Sequence, residues 1–271
     1  MISFPNIDPV AVSFGAIKIR WYSLSYIIGA IFIWIWLAII GTKEKTLDKK
    51  CYDDLMFFTL LISIACGRIG YVLLYNPVYY FRNPIEIFQI WNGGMSFHGG
   101  LIGCVIGVLL VTKAHKKSFF YVADAISCIA PVGIFFGRIA NFINAELYGR
   151  VTKMPWGFVF PGSDGAVRHP SQIYESFFEG LVLLCLMLFF RYFIKKKDFY
   201  RDGYAFVLFI VLYSFIRFML EFFREPDAHI GYFFNYLTIG QLLSIIFLFA
   251  SMLCIFFLNR HKANNMLVTD G

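Results

Sequence analysis

The chain has 271 residues, of which 59% are hydrophobic, 20% aromatic and 15% charged, with a formal net charge of +7 at pH 7 and a mean hydropathy of +0.68. A water-soluble domain is roughly a quarter charged and about half apolar, so this balance excludes an ordinary soluble globule and points to lipid as the solvent. The positive charge lies in loops between apolar runs, with no basic patch interleaved with stacking aromatics, so a nucleic-acid partner is not expected.

The first ten residues, MISFPNIDPV, have neither a basic start nor a short apolar core with a cleavage site, so no removable signal peptide is expected. Crossing about 30 Å of hydrocarbon takes about 20 apolar residues. Seven runs qualify: 21–40, 55–75, 95–112, 119–137, 173–190, 203–220 and 236–258. Lys and Arg concentrate in alternate connections, at 43–50, 113–117, 191–201 and 259–262, and basic connections stay in the cytoplasm. The N-terminus is therefore expected outside and the C-terminus inside. Between 138 and 170, Trp156 and the turn signals FPG and SDG suggest a small cap on the outer face. The expected fold class is all-α, a polytopic integral membrane protein with seven transmembrane helices and that cap, forming one membrane-embedded domain over 1–271.

The six cysteines are scattered through apolar runs without C-x-x-C pairing and read as small core residues. His115, His229 and His261 lie in loops without a ligand partner at helical spacing, so no metal site is expected.

Arginines within apolar runs need a reason, because one at the bilayer centre costs about 2.5–3.5 kcal/mol. Arg68, Arg138 and Arg217 qualify, and the first two share a faint echo, GRIGY at 67–71 and GRIAN at 137–141. Arg68 is near enough to the outer surface to snorkel. Tyr213, Arg217, Glu221 and Arg224 fall within about 80° of one helix face. That stripe is either an Arg217/Glu221 pair pinning helices or, with two arginines to one acid, an anion site.

In 137–150, Arg138, Asn141 and Tyr148 share a helical sector of about 80° while Asn144 and Glu146 fall outside it, so the helix is expected to break near Asn144. Pro131, Gly133 and Gly137 favour a kink upstream, and Gly149 is expected to relieve a tight turn. A break at membrane depth must line protein or a watery cavity, which makes this segment a pocket wall. His98 precedes a glycine pair at the start of the third span and is either structural or a proton acceptor, while Gly103 and Gly107 form a small-xxx-small packing pattern. His169 and Pro170 read as a lead-in to a helix with Glu175 in its first turn.

The stretch GRIANFINAELYG, 137–149, resembles the signature G-R-x-[GA]-N-F-x-N-x-E-x-x-G of the bacterial prolipoprotein diacylglyceryl transferases at every fixed position. WYSLSY (21–26), CGRIGYVL (66–73), GGMSFHGGLIG (93–103), RHPSQIYE (168–175) and EFFREPDA (221–228) resemble the same family in the same order, with Cys66 replacing a frequent glycine. The resemblance implies a cofactor-free enzyme of the bacterial cytoplasmic membrane. Such an enzyme moves the diacylglyceryl group from phosphatidylglycerol to the lipobox cysteine of a prolipoprotein signal peptide, forming a thioether and releasing glycerol phosphate. It further implies that Arg138 and Arg217 hold the phospholipid, that Asn141, Asn144 and Glu146 shape the pocket, and that Tyr22, Tyr213, Glu221 and Arg224 support it. Gly149 would permit the turn that assembles them. His98 is the first candidate base for the thiol, with a lipid-positioning role as the open alternative. A phospholipid transporter or flippase using the same arginines, and an assembly protein whose polar stripes join helices, are the rival readings.

Overall fold

The computed structural model describes residues 2–5, 7–15, 17–75, 77–195, 197, 200–226, 232, 233 and 236–269. His229 and the end of the EFFREPDA stretch lie outside the described residues. The protein is mostly helical and forms two compact units, Trp34–Ala125, and Met1–Ile33 with Ile126–Gly271.

The chain opens with short strands β1 (Ile2–Ser3), β2 (Val10–Phe14) and β3 (Ile17–Arg20). The last two form a hairpin with Phe14 opposite Ile17, and Gly15 takes a φ of +59° in the turn, a conformation that favours glycine. The all-α expectation passed over these strands, because they are only a few residues long beside apolar helices. Helix α1 (Trp21–Glu44) follows directly, then α2 (Lys49–Tyr75), α3 (Pro77–Arg82), two 3-10 turns, α4 (Phe97–Ala114) and α5 (Phe119–Ile143). After an irregular stretch carrying β4 (Phe158–Val159), the chain forms α6 (Ser171–Glu175), a π-helical segment Ser176–Val182, α7 (Leu183–Phe193), α8 (Tyr204–Leu220), strands β5 (Tyr232–Phe233) and β6 (Leu237–Thr238), and α9 (Ile239–Thr269).

Among the described residues, five helical stretches are long and apolar enough to cross a membrane: Trp21–Glu44, Lys49–Leu74, Phe119–Ile143, Ser171–Phe193 and Ile239–Arg260. Two shorter apolar helices, His98–Ala114 and Tyr204–Leu220, coincide with the third and sixth expected spans. Large apolar side chains such as Phe57, Leu61, Leu73, Phe249 and Phe257 point outward from these helices, as a lipid solvent permits and water does not.

In the unit Trp34–Ala125, α2 and α4 meet along a glycine seam. A Cβ on Gly99, Gly103 or Gly107 would run into the α2 backbone at Cys66, at Ile62 and Ser63, and at Thr59 respectively. Helices approach this closely only across small residues, so the packing reading of Gly103 and Gly107 holds. In the other unit an apolar core in which Leu183, Met187 and Val207 are fully buried also encloses charge. Gln172, Glu175 and Glu179 are fully buried and Glu221 nearly so, which an apolar core tolerates only when such groups are paired.

The cysteines are less uniformly buried than expected. Cys51 and Cys128 are buried, Cys66, Cys104 and Cys254 are half-buried and Cys185 is exposed, because an outward position on a lipid-facing helix is apolar in any case.

Candidate functional site

The signature segment ends α5. Arg138 lies one turn before the end of the helix, and the helix stops at Ile143, one residue short of the expected break. The chain then turns through Ala145 and Leu147, whose φ values are +55° and +57°. These left-handed positions are occupied by residues with a Cβ, a strain that persists only where the surroundings impose it. Here Gln172 Nε2 donates to the Glu146 carbonyl at 2.5 Å and Ser171 Oγ to that of Leu147 at 3.0 Å. On the side chains of the turn, Asn141 Nδ2 and Asn144 Nδ2 both donate to Glu146 Oε1, at 2.7 and 3.2 Å. The helix has ended before Tyr148, as the expected break near Asn144 requires, and the turn returns Glu146 to the asparagines. A groove of about 350 Å³ lined by Phe4, Ile7, Pro9, Ile143, Asn144 and Pro161, among others, opens beside it.

Gly149 has a different job from the one expected. It is absent from the left-handed residues and pairs as an antiparallel bridge with Arg224, its N–H donating to the His169 carbonyl at 2.8 Å. A Cβ there would strike Phe223 O and His169, so the position serves close approach of three backbone segments. Helix α8 ends at Leu220, so the stripe from Tyr213 to Arg224 is not one helix face. Arg224 reaches the site through the Gly149 bridge.

At the centre is a buried ionic knot. Arg138 from α5 places Nη1 2.9 Å from Glu175 Oε2, and its Nε and Nη2 donate to Glu179 Oε2 at 3.2 and 3.0 Å. Arg217 from α8 donates through Nη1 to Glu175 Oε1 at 2.8 Å and places Nη2 2.7 Å from Glu221 Oε2. Arg224 Nη1 lies 3.4 Å from Glu175 Oε1. The expected surplus of positive charge is therefore corrected: three guanidinium groups face three carboxylates. Arg217 and Glu221 do form the pair anticipated as the structural alternative, and Arg217 also belongs to the wider knot.

Sequence reasoning missed two of the three acids. Glu175 is not in a first turn complementing a helix dipole. It ends α6 and binds all three arginines, and Glu179 sits in the π-helical segment, a local widening of the helix often found at functional sites. The signal was present in SQIYESFFEG, where two carboxylates interrupt an apolar run at a spacing of four, an arrangement that membrane physics disfavours without partners.

The remaining candidates are distributed. Tyr22, in the first turn of α1, is partly exposed, and its hydroxyl accepts from Tyr26 at 3.1 Å. Tyr213 of α8 is the exception, facing Glu179, Arg138 and Arg217 of the knot while its ring stacks on Phe209 with centroids 6.0 Å apart. His98 belongs to the unit Trp34–Ala125, exposed on the first turn of α4, where Ser96 caps the helix by accepting from Gly99 N at 3.2 Å. Arg68 does not snorkel. It is buried and donates to the carbonyls of Glu86, Ile87, Gly93 and Gly94 at 2.6–3.0 Å, and more weakly to that of Gln89 at 3.5 Å.

Flanking the signature turn outside the spans, Arg168 binds Asp164 at 2.9 Å and lies 5.0 Å over the Tyr148 ring. Its hydrogen bond holds the Asp164 carboxyl below the usual carboxylate range, and burial pushes the His169 imidazole down.

A metal set that sequence spacing did not offer is brought together elsewhere: ligand atoms of Asp48, Cys51 and His115 lie within 4.8 Å of one another. His115 Nε2 is 2.8 Å from Asp54 Oδ2, and this pair accounts for the histidine's placement.

Residues 9–257 match the family described as prolipoprotein diacylglyceryl transferase. The chain belongs to this family. Proteins named phosphatidylglycerol–prolipoprotein diacylglyceryl transferase from Rickettsia bellii and from a Wolbachia of Culex pipiens are each 47% identical to it, over 90% and 92% of this chain and 92% and 94% of their own lengths. A relative of the same name from Rickettsia canadensis is 46% identical over 93% of this chain and 97% of its own. The family match spans both units, so the knot and the α4 start carrying His98 both lie within the shared region.

Proposed function

We propose that this protein transfers the diacylglyceryl group of phosphatidylglycerol to the lipobox cysteine of a prolipoprotein signal peptide, forming a thioether and releasing glycerol phosphate, the first step of lipoprotein maturation. One observation carries the reading: Arg138 and Arg217, from different helices, share the carboxylates of Glu175 and Glu179. Two guanidinium groups that engage the same two carboxylates are spaced to hold one anion with two free oxygens between them, and a phosphodiester is such an anion. Family membership and the substrates in the relatives' names support the same conclusion.

In this mechanism the cysteine reacts as thiolate, with His98 as the candidate base. As the carbon–oxygen bond breaks, negative charge gathers on the departing phosphate, and arginines already aimed there stabilise the transition state more than the ground state. Asn141, Asn144 and Glu146 shape the turn beside the lipid, while Tyr22, Tyr213, Glu221 and Arg224 support the headgroup site. Gly149 lets the backbone that carries Arg224 close on it. The chain acts as one transferase domain of the bacterial cytoplasmic membrane, crossing it seven times with the N-terminus outside and residues 138–170 as an outer cap. The two short helices span about 26 Å each at 1.5 Å per residue, enough beside a locally thinned bilayer.

Purified protein given phosphatidylglycerol and a lipobox peptide is expected to add one diacylglyceryl mass to the cysteine. A folded protein that leaves the peptide unmodified overturns the reading, and lipid crossing the bilayer without peptide modification would establish a flippase instead.

A further inference from the structure

Among the described ion pairs the knot is charge-balanced before a ligand enters, with Arg150 at its edge donating to the carbonyls of Arg224 and Glu221. Arg138, Arg217 and Arg224 face Glu175, Glu179 and Glu221, and the acids are 0%, 0% and 3% exposed. A phosphodiester brings one more negative charge into a region with little solvent to screen it. A surplus buried charge is costly enough that a titratable group neutralises itself instead, so binding the lipid calls for a proton.

Geometry singles out the group that takes it. Glu175 is contacted by three arginines and keeps Arg224 when the other two turn to a phosphate. Glu221 also relies on Arg217, but through Nη2 at 2.7 Å, which leaves Nη1 as the nitrogen shared with Glu175 and Glu179, and it packs against Gly240, where a Cβ would meet its carboxylate. Glu179 has neither safeguard. Its Oε2 depends wholly on Arg138. Its Oε1, like Glu175 Oε2 and Glu221 Oε2, is buried without a hydrogen-bond partner among the described residues. Its ion-pair contact, 3.5 Å from Arg217 Nη1, is longer than the 2.9 and 2.7 Å contacts of those two. The two arginines proposed to receive the phosphate are the two on which Glu179 depends.

We propose that Glu179 takes up a proton when the phospholipid's phosphodiester settles on Arg138 and Arg217, and returns it to the phosphate of the departing glycerol phosphate. This rests on the transferase reading. The sulfur attacks the glyceryl carbon, a carbon–sulfur bond forms and the carbon–oxygen bond breaks, and its electron pair stays on the phosphate. The phosphate passes from one negative charge to two, the Glu179 proton restores it to one, and the freed carboxylate rejoins Arg138. The thiol's own proton goes separately, to His98 or to water, so one proton enters with the lipid and one leaves with the thiol.

The groups facing Glu179 are Arg138 from α5, Tyr213 and Arg217 from α8, and Glu175 on its own helix. Glu221 and Arg224 act through their shared partners, and Tyr26 of α1 acts on Arg138. The arginines stay charged throughout the working range, so the variable proton falls to a carboxylate.

The test uses full-length protein in nanodiscs of neutral lipid, without peptide, titrated with phosphatidylglycerol between pH 5.5 and 8.5, on the order of three units around neutrality. Affinity is expected to fall by about tenfold per pH unit in the upper part of that range, with close to one proton taken up per lipid bound in weak buffer. Glu179→Gln carries a permanent stand-in for the protonated acid, so it should bind at least as tightly at high pH, with no pH dependence and no proton uptake. Its transfer rate with peptide should fall by about 100-fold for want of a proton to return. Glu179→Asp, which can still titrate, should keep the proton uptake and recover part of the rate, whereas a merely structural residue would show neither pattern. Wild-type affinity that ignores pH, or a slope that survives Glu179→Gln, overturns the proposal. Peptide modification without proton uptake would sink this inference alone, while proton-linked binding with no modified peptide would sink the transferase reading and leave the binding half of this one. If Glu179→Gln does not fold, the proton uptake of the wild type and the partial rate of Glu179→Asp decide the matter.

Discussion

Arg68 and Arg138 stand in the same tripeptide, GRI, each within an apolar helix and each largely buried, yet their surroundings differ. Arg68 spends its donors on backbone carbonyls of 86–94 and lies 5.1 Å over the Tyr80 ring. Arg138 spends its donors on two carboxylates. Carbonyls fixed in a folded loop cannot leave, so the first arginine is a staple. Carboxylates on a side chain can give way to another anion, so under the proposed function the second is exchangeable. The motif supplies a cation at a helix end, and the partner's chemistry decides whether that cation is structure or site.

Substitutions sharpen the contrast, and the largest effect belongs to Arg138. Arg138→Lys keeps the charge but loses the forked donors, and should lower the transfer rate by about 100-fold or more with modest loss of melting temperature. Arg138→Ala should abolish detectable transfer and also destabilise by about 3–5 kcal/mol, because it strands Glu179. Rates paired with thermal unfolding separate the two effects.

Arg68→Lys should do the reverse. It cannot serve the same set of carbonyls, so the protein should lose about 1–3 kcal/mol of stability while the surviving folded fraction binds phosphatidylglycerol with unchanged affinity. A lost lipid affinity at full stability would break the comparison.

Gly149→Ala inserts a methyl group between Phe223 and His169. The strain is about 1–3 kcal/mol and displaces Arg224, so we expect weaker lipid binding together with a lower melting temperature.

The smallest effect is at Asp164. Its carboxyl is held low by Arg168, so the folded state favours the charged form. That stabilisation is present above the unfolded carboxylate range, near pH 3.9, and is lost as pH falls through the lower folded value. Asp164→Asn should lower stability at pH 7 only slightly, since Asp164 is itself exposed, and should flatten the acid limb of the stability–pH curve by that same small amount.

Several of these residues were legible in the sequence. The end of α5 near Asn144 followed from Asn and Glu positions incompatible with one helix face, and the glycine seam of α4 from small residues at a spacing of four. Arg217 with Glu221 was visible as a pair at i, i+4. Glu175 and Glu179 were legible only as acids out of place in an apolar run, because their partners are arginines 41 and 42 positions away in the chain, and no local spacing encodes such a partner. Gly149 was singled out for the wrong reason, since a positive φ and a close approach leave the same residue in the sequence.

What the sequence determined by itself is the solvent, the helical class and the supply of cations, since hydropathy and charge are properties of each segment alone. Only the tertiary structure decided which cations meet backbone carbonyls and which meet carboxylates. That depends on what the π-helical segment and the turn after α5 bring within about 3 Å of each guanidinium, the range in which a charge-assisted hydrogen bond forms.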